Sequence, residues 1–178
     1  MKRLFLACLL CAAPLPAQLL DWGVRGGIPM NDAFNSGGDI SAASRHWTLG
    51  PTAEINLPYG FGLEADMLYR RVGYTNGGNY DSNSWSFPIL AKYKFPGKTA
   101  RLFVDAGFAA RHIGDVPHLL ESGNKGFVLG AGFRYDLKLL KISPELRWTR
   151  WNNDQGDPAT GSLSSKLNQA EFLIGVTF

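Results

Sequence analysis

The residues that could do bond-making chemistry are few and poorly spaced for it. His46 is followed by Trp47 and Thr48, His112 by Ile113 and Gly114, and His118 by Leu119 and Leu120. No histidine has a serine two residues on. Acyl transfer needs a base within hydrogen-bond reach of a nucleophile, with a third group orienting the base. His112, Asp115 and His118 lie near one another in sequence, but their spacing matches no closed zinc site. The run Asn152-Asn153-Asp154-Gln155-Gly156-Asp157 offers oxygen ligands. Calcium takes about six to eight oxygens, and a polar loop rich in turn formers explains the run without an ion. The expectation is no catalytic residue, no metal site, no cofactor and no enzymatic activity.

What remains is charge, and it is patterned. Arg25, Glu54, Glu64, Asp66, Arg70, Lys92, Lys94, Arg101, Asp105, Arg111, Arg134, Asp136, Glu145, Arg147 and Glu171 recur mostly at every second position within otherwise apolar segments. The signs are nearly balanced. Gathered together, such groups would form either a narrow polar path for ions or a packed ion-pair network. The net charge of +3 is weak and dispersed, and no basic cluster interleaved with aromatics suggests nucleic acid.

The elements that position these charges read as strands. Segments at 20–29, 46–57, 61–74, 84–95, 101–113, 126–137, 141–151 and 168–178 each combine alternation with bounding turn residues. Tight connections at Pro58-Tyr59-Gly60, Pro96-Gly97-Lys98-Thr99 and Lys138-Leu139 alternate with long polar ones: Met30 to Arg45, Thr75 to Asn83, Gly114 to Lys125 and Asn152 to Leu167. Strict alternation of short and long connections is the habit of transmembrane barrels. A sandwich mixes its connection lengths less regularly.

The N-terminus points to export. Lys2 and Arg3 precede the uncharged apolar run Leu4 to Ala13, and Pro14 to Ala17 forms a small-residue exit. This is the order of a secretory signal peptide, expected to span 1–17 with cleavage after Ala17. The run is too short for a membrane-spanning helix, which takes about 20 residues. Cys8 and Cys11 both lie inside it, so the mature chain 18–178 would be one domain without disulfides.

Splitting each strand by its period of two separates the charges from the apolar residues. In the last strand Ala170, Phe172, Ile174, Val176 and Phe178 share one face; Gln169, Glu171, Leu173, Gly175 and Thr177 share the other. Leu63, Ala65, Met67 and Tyr69 likewise oppose Glu64, Asp66, Leu68 and Arg70. Arg71 and Arg150 are exceptions, placed at outer strand ends where they could reach lipid headgroups. Alternation alone fits a soluble lipocalin-like barrel as well as a membrane barrel. Three features favour the membrane. The charged face is rich in glycine, as a crowded lumen requires. Aromatics sit at both strand ends of the apolar face: Trp47, Tyr69, Trp85 and Trp148 at the loop end, and Phe61, Phe95 and Phe178 at the turn end. Two such belts suit two membrane interfaces. The chain also stops on Phe178 with its last strand intact.

The C-terminal segment Gln169 to Phe178 resembles the terminal signature read by the outer-membrane barrel assembly machinery. Phe172, Ile174, Val176 and Phe178 are the residues that would carry it. Phe87 to Phe95, Leu102 to Gly107 and Ile142 to Trp148 resemble the small outer-membrane β-barrel domain proteins of the OmpA/OmpX-like class. The resemblance covers essentially the whole mature chain. It implies an all-β, eight-stranded antiparallel up-and-down transmembrane barrel in the outer membrane. It is uninformative about role, because that class holds anchors, adhesins, small channels and lipid-modifying enzymes. Barrel-borne lipid A deacylases pair a histidine with a serine two residues on, a pair missing here. No peptidoglycan-binding domain follows the barrel, so the anchor role of larger members is not implied. The expected partners are outer-membrane lipid and, during biogenesis, the assembly machinery. The barrel is expected to be monomeric, with an ion-pair network plugging its lumen and its outer loops as the contact surface.

Overall fold

The computed structural model describes residues 19–30, 41–42, 47–75, 79–97, 99–113, 124–137, 139–152 and 168–178. The leader, the Asn152–Asp157 run beyond Asn152, His46, Asp115 and His118 fall outside these. Among the described residues ten strand segments occur: β1 (Leu20–Pro29), β2 (Ser41–Ala42), β3 (Thr48–Asn56), β4 (Phe61–Asp66), β5 (Leu68–Thr75), β6 (Asn79–Lys94), β7 (Ala100–Ile113), β8 (Lys125–Asp136), β9 (Lys141–Trp151) and β10 (Asn168–Thr177). No described helix is long and apolar enough to cross a membrane.

Eight staves close into a barrel. β1 pairs antiparallel with both β3 and β10, which joins the two ends of the sheet. The third stave, expected as one strand over 61–74, is divided at Met67 into β4 and β5. Its register is nonetheless continuous, since Thr52 faces Asp66 and Leu49 faces Tyr69. The cause is proline on both neighbouring strands. Met67 N–H donates to the Pro51 carbonyl at 3.0 Å, but neither Pro51 nor Pro88 has an N–H to return.

The second departure is at the loop end. The polar stretch Thr75 to Asn83, expected as a loop, is mostly strand. β5 and β6 stay paired up to Thr75 opposite Asn79. Polar composition reads as loop in sequence, yet a ribbon standing in water needs no apolar face. β2, inside the expected loop from Met30 to Arg45, adds two pairs to β5.

Cross-strand partners define the stagger. Leu20 pairs with Ile55, Ile55 with Leu63, Leu63 with Ala91, Ala91 with Ala106, Ala106 with Leu129, Leu129 with Trp148 and Trp148 with Ala170. Ala170 then accepts from Met30 N–H at 2.7 Å. One circuit that leaves β1 at Leu20 therefore returns ten residues further along it. Such a shear tilts the strands by about 35–45°, and an eight-stranded interior is just wide enough for side chains to fill.

The faces follow the expected alternation. Val24, Ile28, Leu49, Ile89, Phe108, Leu129, Leu146 and Ile174 are exposed on the outside. The expected aromatics all lie on this outer face and are joined by others. Trp22 packs on Phe178, and Tyr93 contacts Phe61 and Phe95 at the turn end. Tyr69 contacts Trp47 and Trp85 at the loop end, and Phe108, paired with Ile89 nearer mid-height, contacts Phe127. Trp85 and Phe95 stand ten residues apart on one stave. That is about 33 Å of strand, or about 25 Å of height at the tilt above, the height of a barrel's apolar band.

Candidate functional site: the charged lumen

The inward face collects the charges, and their partners come from across the barrel. Arg25 of β1 donates to Glu145 at 2.6 Å and to Glu64 at 2.7 Å. Arg147 of β9 donates to Glu145 at 2.6 Å, Asp66 at 2.8 Å and Glu64 at 3.0 Å. Lys92 also donates to Glu64. Glu64 thus receives three cations from three other staves while only 1% exposed. Guanidinium forks suit this shared arrangement, because their donors lie in a fixed plane.

Glu54 links this centre to a second cluster at the turn end. It accepts from Lys92 at 3.4 Å, Lys94 at 2.5 Å and Arg134 at 3.2 Å. Arg134 also bonds Asp21 and donates to Asp136 at 3.1 Å. Lys141 reaches Asp21 at 2.5 Å and Asn56 reaches it at 2.9 Å. Arg101 pairs with Asp136 at the half-exposed turn-end mouth. Sequence reading missed Asp21 and Lys141. Both sit at strand ends, where too few neighbours fix the alternation, although Asp21 shares the inward parity of Arg25.

A third group lies toward the loops. Arg70 donates to Glu171 at 3.1 Å and Gln169 at 3.2 Å. Trp151 Nε1 donates to the same Gln169 oxygen at 2.7 Å. The Arg111 guanidinium stacks over the Trp151 ring at 4.2 Å, a cation–π contact. Trp151 is thus an interior residue that the sequence did not mark.

Between these groups apolar side chains are buried together with the hydroxyls of Thr52, Ser84, Ser143 and Thr149. Leu90, Phe103, Val128 and Leu173 are each 0% exposed, and Leu68 is 2% exposed. Every sequence-predicted lumen charge faces inward. Of these, Arg101, Asp136 and Glu171 are part-exposed and the rest are buried. His112 instead lies on the outer face, remote from the lumen carboxylates. Among the described residues no cluster of three or more histidine, cysteine or acidic side chains could hold a metal ion.

Asp105 is the exception in the network. It is 4% exposed, and neither carboxylate oxygen has a hydrogen-bond partner. Lys92 stands directly across from it but turns to Glu64 and Glu54. Gly130 makes the crowding tolerable. A Cβ there would lie 2.3 Å from an Asp105 oxygen and 2.9 Å from a Glu145 oxygen. Asp105→Asn, which removes the buried charge but keeps shape and volume, is expected to stabilise the barrel by about 1 kcal/mol, because an unpaired buried charge costs more than an unpaired neutral group. Urea unfolding in lipid vesicles measures it. A lower midpoint would mean that Asp105 holds Lys92 in place.

Solved structures share this architecture. The outer membrane protein OprG from Pseudomonas aeruginosa aligns with a TM-score of 0.56 at 15% identity, over 89% of this chain and 93% of that one. Neisserial surface protein A (NspA) aligns with a TM-score of 0.56 at 13% identity, over 90% and 96%. AlkL, an outer membrane protein solved by solid-state NMR in DMPC bilayers, aligns with 0.52 at 13%, over 90% of each chain. Identities this low speak for the fold alone. No curated protein matches the chain. The sequence pattern of the outer membrane protein beta-barrel domain matches residues 4–178, and the chain belongs to that family: it is a β-barrel of the outer membrane.

Proposed function

We propose that this protein is a closed, non-enzymatic barrel that holds its outer loops as a structural or adhesive contact surface. One observation carries the reading: ion pairs and apolar side chains together fill the lumen. Charged residues from six staves are buried against one another, and Leu90, Phe103, Val128 and Leu173 are packed beside them at 0% exposure. That filling leaves a channel reading without a water-lined path, which ion conduction requires. Loops held on a rigid scaffold are where such a protein would carry its contacts.

The same reading gives roles to the chain's ends and belts. Residues 1–17 are a signal peptide removed on export. Phe172, Ile174, Val176 and Phe178 line the outer face of β10 and serve as the assembly signal. The two aromatic belts anchor the barrel at the membrane interfaces.

Planar-bilayer recording of the refolded full chain tests the central claim. A silent membrane is expected, together with a heat-sensitive shift in gel mobility. Stepwise conductance that changes with Glu64→Gln would overturn the closed barrel and favour a small channel.

A further inference from the structure

The outer wall is not evenly filled. Across β8, β9 and β10 it carries an apolar groove of about 400 Å³. Leu129, Trp148 and Ala170 form one cross-strand row in it, and Ala131 faces Leu146 in the next. The two alanines are small where neighbouring outward positions are large, and Met30 closes the side toward β1. Only backbone from Gly130, Arg147 and Glu171 can reach this face, since their side chains turn into the lumen.

Directly above the groove, toward the loops, the outward residues become cationic. Arg150 follows Trp148 on the same face of β9 and stands opposite Phe127 and Asn168. Lys125 follows Phe127 on the outward face of β8, and its carbonyl accepts from Asn152 N–H. Arg150 and Lys125 are therefore diagonal neighbours, a relation that spans about 7–8 Å. Both are exposed. The long connections mark this end as the outer one, so the pair stands at headgroup height just beyond the loop-end aromatics.

The groove cannot choose among lipids by itself, because acyl tails are as apolar as its walls. The cations can choose. We propose that the groove and its two cations form a binding site for one lipid with a net-negative phosphate headgroup. An acyl chain lies along Ala131 and Ala170, and the phosphate accepts charge-assisted hydrogen bonds from Arg150 and Lys125. A zwitterionic lipid carries its own ammonium beside the phosphate and loses part of that attraction. The site is independent of whether the lumen conducts.

Native mass spectrometry of the full-length barrel tests it, in micelles doped with phosphatidylglycerol or phosphatidylethanolamine of identical chains. Wild type should retain more of the anionic lipid. Arg150→Gln and Lys125→Gln should each lower that retention roughly five-fold, which is about 1 kcal/mol per surface cation, and should lower retention of the zwitterionic lipid by less. Ala131→Leu with Ala170→Leu fills the groove with side chains suited to a lipid face and should lower retention of both lipids. Folding of every variant is checked by the heat-dependent gel shift. Equal retention of the two lipids by wild type overturns the headgroup assignment. Undiminished retention by the groove-filled variant overturns the placement of the chain.

Discussion

Glu64→Gln is expected to destabilise the barrel by about 3–5 kcal/mol, the usual cost of removing one partner from a buried ion pair. The change keeps shape and volume, so packing contributes little. It leaves Arg25, Lys92 and Arg147 facing one another with one fewer countercharge, all at 2–3% exposure. Asp66, Glu145 and Glu54 remain, but each is already engaged. Urea unfolding in vesicles, followed by tryptophan emission and gel mobility, measures the loss. Glu171→Gln is the internal control. Glu171 pairs with Arg70 nearer the loop end, at 13% side-chain exposure, and its loss should cost much less. Equal losses at the two positions would show that the number of partners and the depth of burial do not govern this lumen.

The second large effect belongs to the outer face. Ile89 is 58% exposed midway along β6, opposite Ala65 and Phe108. Ile89→Lys is expected to cost about 2–4 kcal/mol, the penalty of a cation on the lipid face near the midplane. Tyr135→Lys, at the turn-end belt, should cost about 0–1 kcal/mol because the ammonium reaches the interface. A barrel whose outer face met water would show no such gradient, since a lysine there would be solvated at either height. Measured folding into vesicles that gives equal costs at the two positions would contradict the height assigned to the belts.

The alternation of side chains made the two faces legible before any coordinates. Glu64 and Asp66 share a parity with Leu68 and Arg70, and all four turn inward as that parity requires. The same rule could not say what the inward face would do with its apolar members. Leu90, Phe103, Val128 and Leu173 have the parity of lumen charges, and whether they line a pore or block one depends on the shear, a property of all eight registers at once. The hairpin of β5 and β6 was hidden for a different reason. Its upper half mixes Val72, Tyr74 and Tyr80 with Gly, Thr, Asn, Asp and Ser, so composition does not distinguish it from a loop. Met67 marks a smaller gap: strand propensity is a property of a segment, whereas this break is imposed by prolines on the two neighbours. Trp151 and Asp21 were missed at strand ends, where one residue of uncertainty in the boundary leaves the facing open. For the lipid groove, the sequence showed Arg150 as an outward cation but not the small residues beneath it, which are adjacent only once β8, β9 and β10 are paired.

The long hairpin has a consequence for recognition. β6 begins at Asn79, six residues beyond Trp85, and its backbone is paired with β5 through that whole length. The ribbon thus rises about 20 Å along the strand past the aromatic belt. A molecule that meets it finds main chain already ordered, so little conformational freedom is lost on docking. Contacts made along this ribbon should therefore be preorganised, and their gain should show chiefly as slow dissociation.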